Sequence, residues 1–182
     1  MRERWRQVVH LLVGCAIALS IAVFPREWTL PFYAAGLLIG SILTDAVERG
    51  RRLPIVTPLL DHLEREGSAP GRGAYYFIVS ALICLVLFDP FRAAIGLFVL
   101  ALLDSTATLA GMHLGRHRIY NNKSFEGFLA GTLATAVLLL LFLSPGQAVL
   151  VSLAGGVIEF LSPGDDNLVI PPVVCLVLSL VP

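Results

Sequence analysis

An all-α fold, a single polytopic bundle of about seven membrane-spanning helices, is the architecture this sequence predicts. Three observations carry it. Mean hydropathy is +0.83, with 57% hydrophobic and 14% charged residues, which leaves too little polar surface for a water-soluble domain of 182 residues. Apolar runs recur along the whole chain. The polar punctuation between them is short and rich in proline, glycine and serine, as tight turns require.

Residues 5–24 have an Arg-rich start and an apolar middle, as a secretory signal does. No small-residue cleavage site precedes Phe24-Pro25-Arg26, and further spans follow, so the segment is predicted as the first transmembrane helix. The others are expected near 29–47, 74–88, 92–114, 126–144, 147–161 and 168–182. Breaks fall at Pro25, Pro31, Asp89-Pro90, Ser144-Pro145-Gly146 and Ser162-Pro163-Gly164. Several spans are shorter than the roughly 20 residues an untilted helix needs. The long polar connection, roughly 48–73, is predicted to hold an amphipathic piece around Thr57–Glu66. Pro171 and Pro172 are expected in the first turn of the last helix, where a missing N–H matters little. Residues 1–182 form one domain without internal repeats, and the still-apolar ending leads us to expect a native tail beyond it.

Charge fixes the expected orientation. Arg2, Arg4 and Arg6, then Arg49, Arg51, Arg52, Arg65 and Arg72, then Arg116, Arg118 and Lys123 lie on one side; only Arg26 and Arg92 lie on the other. The positive-inside rule puts the N-terminus in the cytoplasm. The SPGDDN connection, Ser162 to Asn167, joins that face by topology and brings acids without a basic residue of its own. A net charge of zero gives no case for nucleic acid. Cys15, Cys84 and Cys175 each stand alone in an apolar run, as small core residues do.

Polar residues within the spans point to chemistry. Asp104 sits near the middle of the fourth span, where a charge costs about 2.5–3.5 kcal/mol on insertion scales, so it should face the bundle interior. At 100° per residue, Asp104, Thr108, Gly111 and Gly115 share a stripe, as do Arg6 with His10, and Ser152 with Gly156 and Glu159. Gly127, Gly131 and Ala134 form a small-residue stripe that reads as helix packing. Asp104, Glu126, Glu159, Asp165 and Asp166 are expected to converge on one cytoplasmic cavity. Plainer roles compete: a hydrogen-bonded structural Asp104, a satisfied His10, a solvated Lys123. Carboxylates without cysteine suit a hard cation, Mg²⁺, which takes one or two protein carboxylates together with waters and phosphates. Nucleotide chemistry is therefore expected, although no GxxxxGK[ST] loop and no HRD or DFG signature is present. Lys123 precedes the fifth helix, whose N-terminal dipole also attracts a phosphate.

The segments DSTATLAGMHLG, NNKSFEGFLAG, a Glu about thirty residues on and DDNLVIPP, in that order, resemble the CTP-dependent lipid kinases. That family includes dolichol, phytol and farnesol kinases and the fungal CTP-dependent diacylglycerol kinase. The matching positions are Asp104, Ala107, Gly111 and Gly115; Lys123, Ser124, Glu126 and Gly127; Glu159; and Asp166, Asn167, Ile170 and Pro171. Arg6 to His10 is similar to a motif opening the family's first helix, and Glu66 with Gly73-Ala74-Tyr75-Tyr76 to another. Leu103 and Gln7 depart from the pattern, which has Gly and Lys there.

The resemblance implies transfer of the CTP γ-phosphoryl group to the hydroxyl of a membrane polyisoprenoid alcohol of dolichol, geranylgeraniol or phytol type. The products would be the lipid monophosphate and CDP; the charge distribution leads us to expect the cytoplasmic face, and the small size a prokaryotic plasma membrane. The resemblance also implies catalytic roles for Asp104, Lys123 and Glu126, with Asp104 the first choice of base. Asp104, Glu159 and Asp166 would hold Mg²⁺, while Arg6, His10, Lys123, Ser124 and Asn167 would bind CTP. Gly127 and Gly131 would line the path of the lipid. The expected partners are CTP, the lipid alcohol and the bilayer, with homo-oligomerisation left open. Three alternatives stand beside this reading. One is a CTP-dependent diacylglycerol kinase. Another is a cytidylyltransferase making a CDP-lipid, whose Lys-Arg and Lys-Asp pairs have no counterpart here. The third is a small transporter around Asp104, disfavoured by the short, ligand-poor connections FPREWTL, FDPFR and LSPGQ.

Overall fold

The computed structural model describes residues 2–63, 69–120, 123–162 and 165–181. Its elements are helices α1 (Arg2–Val23), α2 (Arg26–Glu48), α3 (Val56–Leu63), α4 (Arg72–Leu87), α5 (Pro90–Leu114), α6 (Phe125–Leu139), α7 (Pro145–Leu161) and α8 (Asp166–Leu180). A two-stranded antiparallel ribbon, β1 (Arg118–Tyr120) and β2 (Lys123–Ser124), precedes α6. The all-α expectation holds, with that ribbon as the one addition among the described residues. The expected amphipathic piece is α3, and the stretch of it that runs on to Glu66 lies outside the described residues. Among the described residues α1, α2 and α5 are long and apolar enough to cross a membrane; α4, α6, α7 and α8 are apolar but shorter.

Local chemistry starts these helices. Asp89 caps α5, accepting the Arg92 N–H at 3.1 Å, with Pro90 supplying the preset φ of a first helical residue. Ser144 and Gln147 form a capping box on α7, again followed by proline. The prolines of α8 depart from expectation. The helix begins at Asp166, so Pro171 and Pro172 lie beyond its first turn. Pro172 has no N–H to offer the Leu168 carbonyl four residues back, and Ser80 of α4 donates to that carbonyl instead, at 3.2 Å.

Helix α5 is the hub. It packs against α1, α4, α6, α7 and α8, and 67% of its most apolar stretch is buried, against 6% for the outlying α2. A helix apolar on every side is one surrounded by protein. Small residues bring its neighbours close: Gly96 faces Pro171 and Cys175 of α8, and Gly155 of α7 faces Val99 and Leu103. Leu97, Leu100 and Leu103 of α5 are fully buried, as are Ile21, Leu85, Leu139 and Ile170 from the surrounding helices. The three cysteines are free thiols, two of them buried, as core residues should be.

The same packing corrects one assignment. Gly127 and Gly131 do not line a lipid path, because they are buried against α5. A Cβ on Gly131 would sit 2.9 Å from that of Ala107, and one on Gly127 would sit 2.6 Å from the Ala107 carbonyl oxygen. The outward face of α6 carries Leu129, Leu133 and Val137. Gly131→Leu should therefore overpack the α5–α6 contact and cost about 1–3 kcal/mol, whereas Leu133→Ala should stay within about 0.5 kcal/mol. Thermal unfolding in detergent compares the two; equal losses would contradict the packing.

Candidate active site at the polar end of the bundle

Chemistry-bearing side chains gather where α1, α4, α6 and α8 begin and α5 and α7 end. The ribbon holds Lys123 at their centre. Its ammonium donates to the Glu159 backbone carbonyl on α7 and lies 3.0 Å from Glu159 Oε1 and 2.5 Å from Asp166 Oδ2 on α8. Glu159 is buried, and Asp166 keeps its second oxygen, Oδ1, buried without a hydrogen-bond partner. Burial alone would pull the Lys123 ammonium down, but Glu159 and Asp166 outweigh it and hold the group above the ordinary lysine value. A raised folded-state value means the pairing is present throughout neutral pH and fades only as alkaline pH passes above it.

Asp104 of α5 lies beside this trio, and its charge acts on both Glu159 and Asp166. His10 Nε2 is 3.6 Å from Asp104 Oδ2, beyond hydrogen-bond reach, and the ring packs edge-on against Phe77 with centroids 5.6 Å apart. The charges of Arg6 and Asp165 also act on His10. Of the acids expected to share one cytoplasmic cavity, Glu159 and Asp166 meet at Lys123, Asp104 and Asp165 lie near them, and Glu126 stands apart. Among the described residues, however, no three of the His, Cys, Asp and Glu side chains are spaced to hold a metal ion together. The expected trio of Asp104, Glu159 and Asp166 is therefore not assembled as one three-ligand set. Glu159 and Asp166 instead form an oxygen pair with one unpartnered atom. That pair fits Mg²⁺, which completes its shell with water and phosphate oxygens.

Several assignments change. Ser124 is not turned to a ligand: its buried hydroxyl caps α6, accepting the Gly127 N–H at 3.0 Å, and fills the space left by Gly111 and Gly115. Glu126 faces the loop before the ribbon. It accepts the backbone N–H groups of Arg116 at 3.1 Å and His117 at 3.2 Å, and lies 2.6 Å from His117 Nδ1. That makes it a fastener of the loop. Arg6 pairs with Glu3 one turn earlier. Asn167 donates its amide to the Gly73 carbonyl at 3.2 Å, tying the start of α8 to the start of α4. Glu66 lies outside the described residues.

The structure also brings in residues the sequence did not mark. Arg72 lies 3.5 Å from Asp165 and over the Tyr76 ring. Gln7 is buried, donates to Glu3 at 3.3 Å, keeps Oε1 unpartnered, and lends its backbone carbonyl to Ser105 at 3.1 Å. Its position where the resembling family has a cation was the available signal. His117 had none, since an exposed loop histidine carries no pattern.

No protein-family model matches the chain, and no solved structure gives a significant match. The chain is 36% identical to the uncharacterized protein MJ1137 of Methanocaldococcus jannaschii, over 98% of this chain and 94% of that protein. It belongs to the same family as that archaeal protein. It is also 29% identical to a phytol kinase of Synechocystis sp., over 93% of this chain and 75% of that protein, a distant likeness to a kinase.

Removing the Glu126 carboxylate should release the loop it fastens. In Glu126→Ala, trypsin is expected to cut after Arg116 and Arg118 several-fold faster than in the unaltered protein, read by mass spectrometry of the digest. Unchanged cleavage would mean that the ribbon pairing and the Phe125 N–H to His117 carbonyl bond hold the loop without the carboxylate.

Proposed function

We propose that the protein is a membrane-embedded kinase that moves the γ-phosphoryl group of CTP to the hydroxyl of a polyisoprenoid alcohol, releasing CDP. The observation that carries this reading is the lone ammonium of Lys123 suspended between Glu159 and Asp166, beside Asp104 and His10. The distant likeness to a phytol kinase supports it. So does the order of motifs along the chain. In this reading all seven apolar helices span the bilayer, the N-terminus is cytoplasmic, and the reaction takes place at the inner face of a prokaryotic plasma membrane.

Phosphoryl transfer asks a protein chiefly for positioning and charge balance. The alcohol oxygen forms a bond to the γ-phosphorus as the bond to the β–γ bridging oxygen breaks, and CDP departs with that electron pair. Asp104 receives the hydroxyl proton, with the His10 ring beside it. Lys123 meets the phosphate oxygens as they gain charge. Glu159 and Asp166 would hold Mg²⁺, which would supply neutralisation of the phosphate charge. A greasy stem is read weakly by apolar walls, so selectivity among long-chain alcohols is expected to be loose.

The direct test is purified protein with Mg²⁺, labelled CTP and a panel of lipid alcohols that includes diacylglycerol. Phosphorylated prenol and CDP are expected. Pyrophosphate release would select a cytidylyltransferase instead, and preference for diacylglycerol would change the acceptor. Asp104→Asn should lower kcat by about 10²–10⁴-fold, the usual span of a general base, with an unchanged unfolding midpoint; full activity would reduce Asp104 to a packing residue.

A further inference from the structure

The chain has thirteen basic residues and only one of them, Lys123, is lysine. The exception bridges two carboxylates from different helices, Glu159 of α7 and Asp166 of α8. Arginine suits a permanent bridge, since its planar fork locks onto carboxylates through paired hydrogen bonds. A lysine ammonium is a compact, strongly hydrated point charge on a flexible stem, and it detaches more readily. Charge points the same way. Two carboxylates, Glu159 and Asp166, share one ammonium, so with both ionised the pair carries one negative charge more than Lys123 balances. A divalent ion in the ammonium's place would balance the pair in full. Asp166 Oδ1 is buried and unpartnered beside that place. The Lys123 side chain is 23% exposed, so it has a way out toward solvent.

We propose that Lys123 and the divalent cation occupy the same space in turn. The ammonium balances Glu159 and Asp166 while the site is at rest, and an arriving Mg²⁺ displaces it. The freed lysine then swings to the phosphate oxygens that accompany the metal. This rests on the kinase reading for the identity of the phosphates, but the exchange itself needs only metal and protein. Metal alone then binds weakly, because displacing the ammonium leaves it without a partner. Metal with nucleotide binds well, because the lysine gains one. The exchange thus couples loading of the cation to arrival of its phosphate.

Two measurements test it, both without nucleotide or lipid. Mn²⁺ binding, followed by the paramagnetic resonance of the free ion, should be at least tenfold tighter in Lys123→Met than in the unaltered protein. Arg72→Met, which removes a nearby cation not seated on the pair, should change it less than threefold. Equal gains in both variants, or none in Lys123→Met, would overturn the exchange. Should Lys123→Met not fold, the unaltered protein decides. Acylation of its single lysine by an amine-reactive ester, separated from the N-terminal amine by peptide mapping, should accelerate at least fivefold with Mg²⁺ over sodium chloride of equal ionic strength. An unchanged rate would sink the proposal. A protein that exchanges cations yet phosphorylates no alcohol keeps this inference and loses the kinase reading; one that phosphorylates with Lys123 immobile does the reverse.

Discussion

Charge must be balanced wherever water is scarce, and at Lys123 that requirement joins three parts of the chain. The ribbon supplies the ammonium, α7 supplies Glu159 and α8 supplies Asp166. Pairs of this kind add little beyond what apolar residues of the same shape would give, yet removing one member strands the others and is strongly destabilising. The three segments are therefore obliged to arrive together. Residues on either side of Lys123 secure it: Ser124 caps α6 next door, and Glu126 grips the backbone at Arg116 and His117. The lysine is consequently held on a fastened strand and not on a free loop.

The apolar part of the bundle makes that end possible. Because α5 is enclosed by five other helices, its polar residues must find partners among them. Ser105 finds the Gln7 carbonyl of α1, and Asp104 comes to lie by His10, three residues farther along that helix. Glycines at 127 and 131 let α6 approach so closely that Ala107 fills the interface. Pro172 contributes by omission, leaving a carbonyl that Ser80 completes and so fixing α4 against α8.

Much of this was legible in the sequence. Hydropathy located the apolar helices among the described residues, but α5 and α7 start two residues earlier than expected, at the prolines after the Asp89 and Ser144 caps, and α6 ends at Leu139, short of the expected 144. The ribbon was missed because strands of three and two residues are too short to show a period. The meeting of Glu159 with Asp166 follows a general need, since acids in apolar runs have to be answered by something. Their partners could not be foreseen. Nothing in the order of residues told Lys123 to choose Glu159 and Asp166, or told Glu126 to turn toward the loop. Helical angle counting put Gly127 and Gly131 on one face but could not say which neighbour that face meets. Ser124 was readable as a cap, a serine standing just ahead of a helix with Gly127 three residues on, but the family resemblance drew attention to a ligand instead.

Asp104 stands ten residues before the end of α5, about 15 Å along the axis, and still shows a fifth of its side chain to the outside. A polar side chain so deep in an apolar bundle needs polar company, and it has His10 beside it. Hydrophilic surroundings therefore reach about half-way along the central helix and do not stop at its end. On the kinase reading, a soluble reactant would follow them inward to meet one dissolved in lipid.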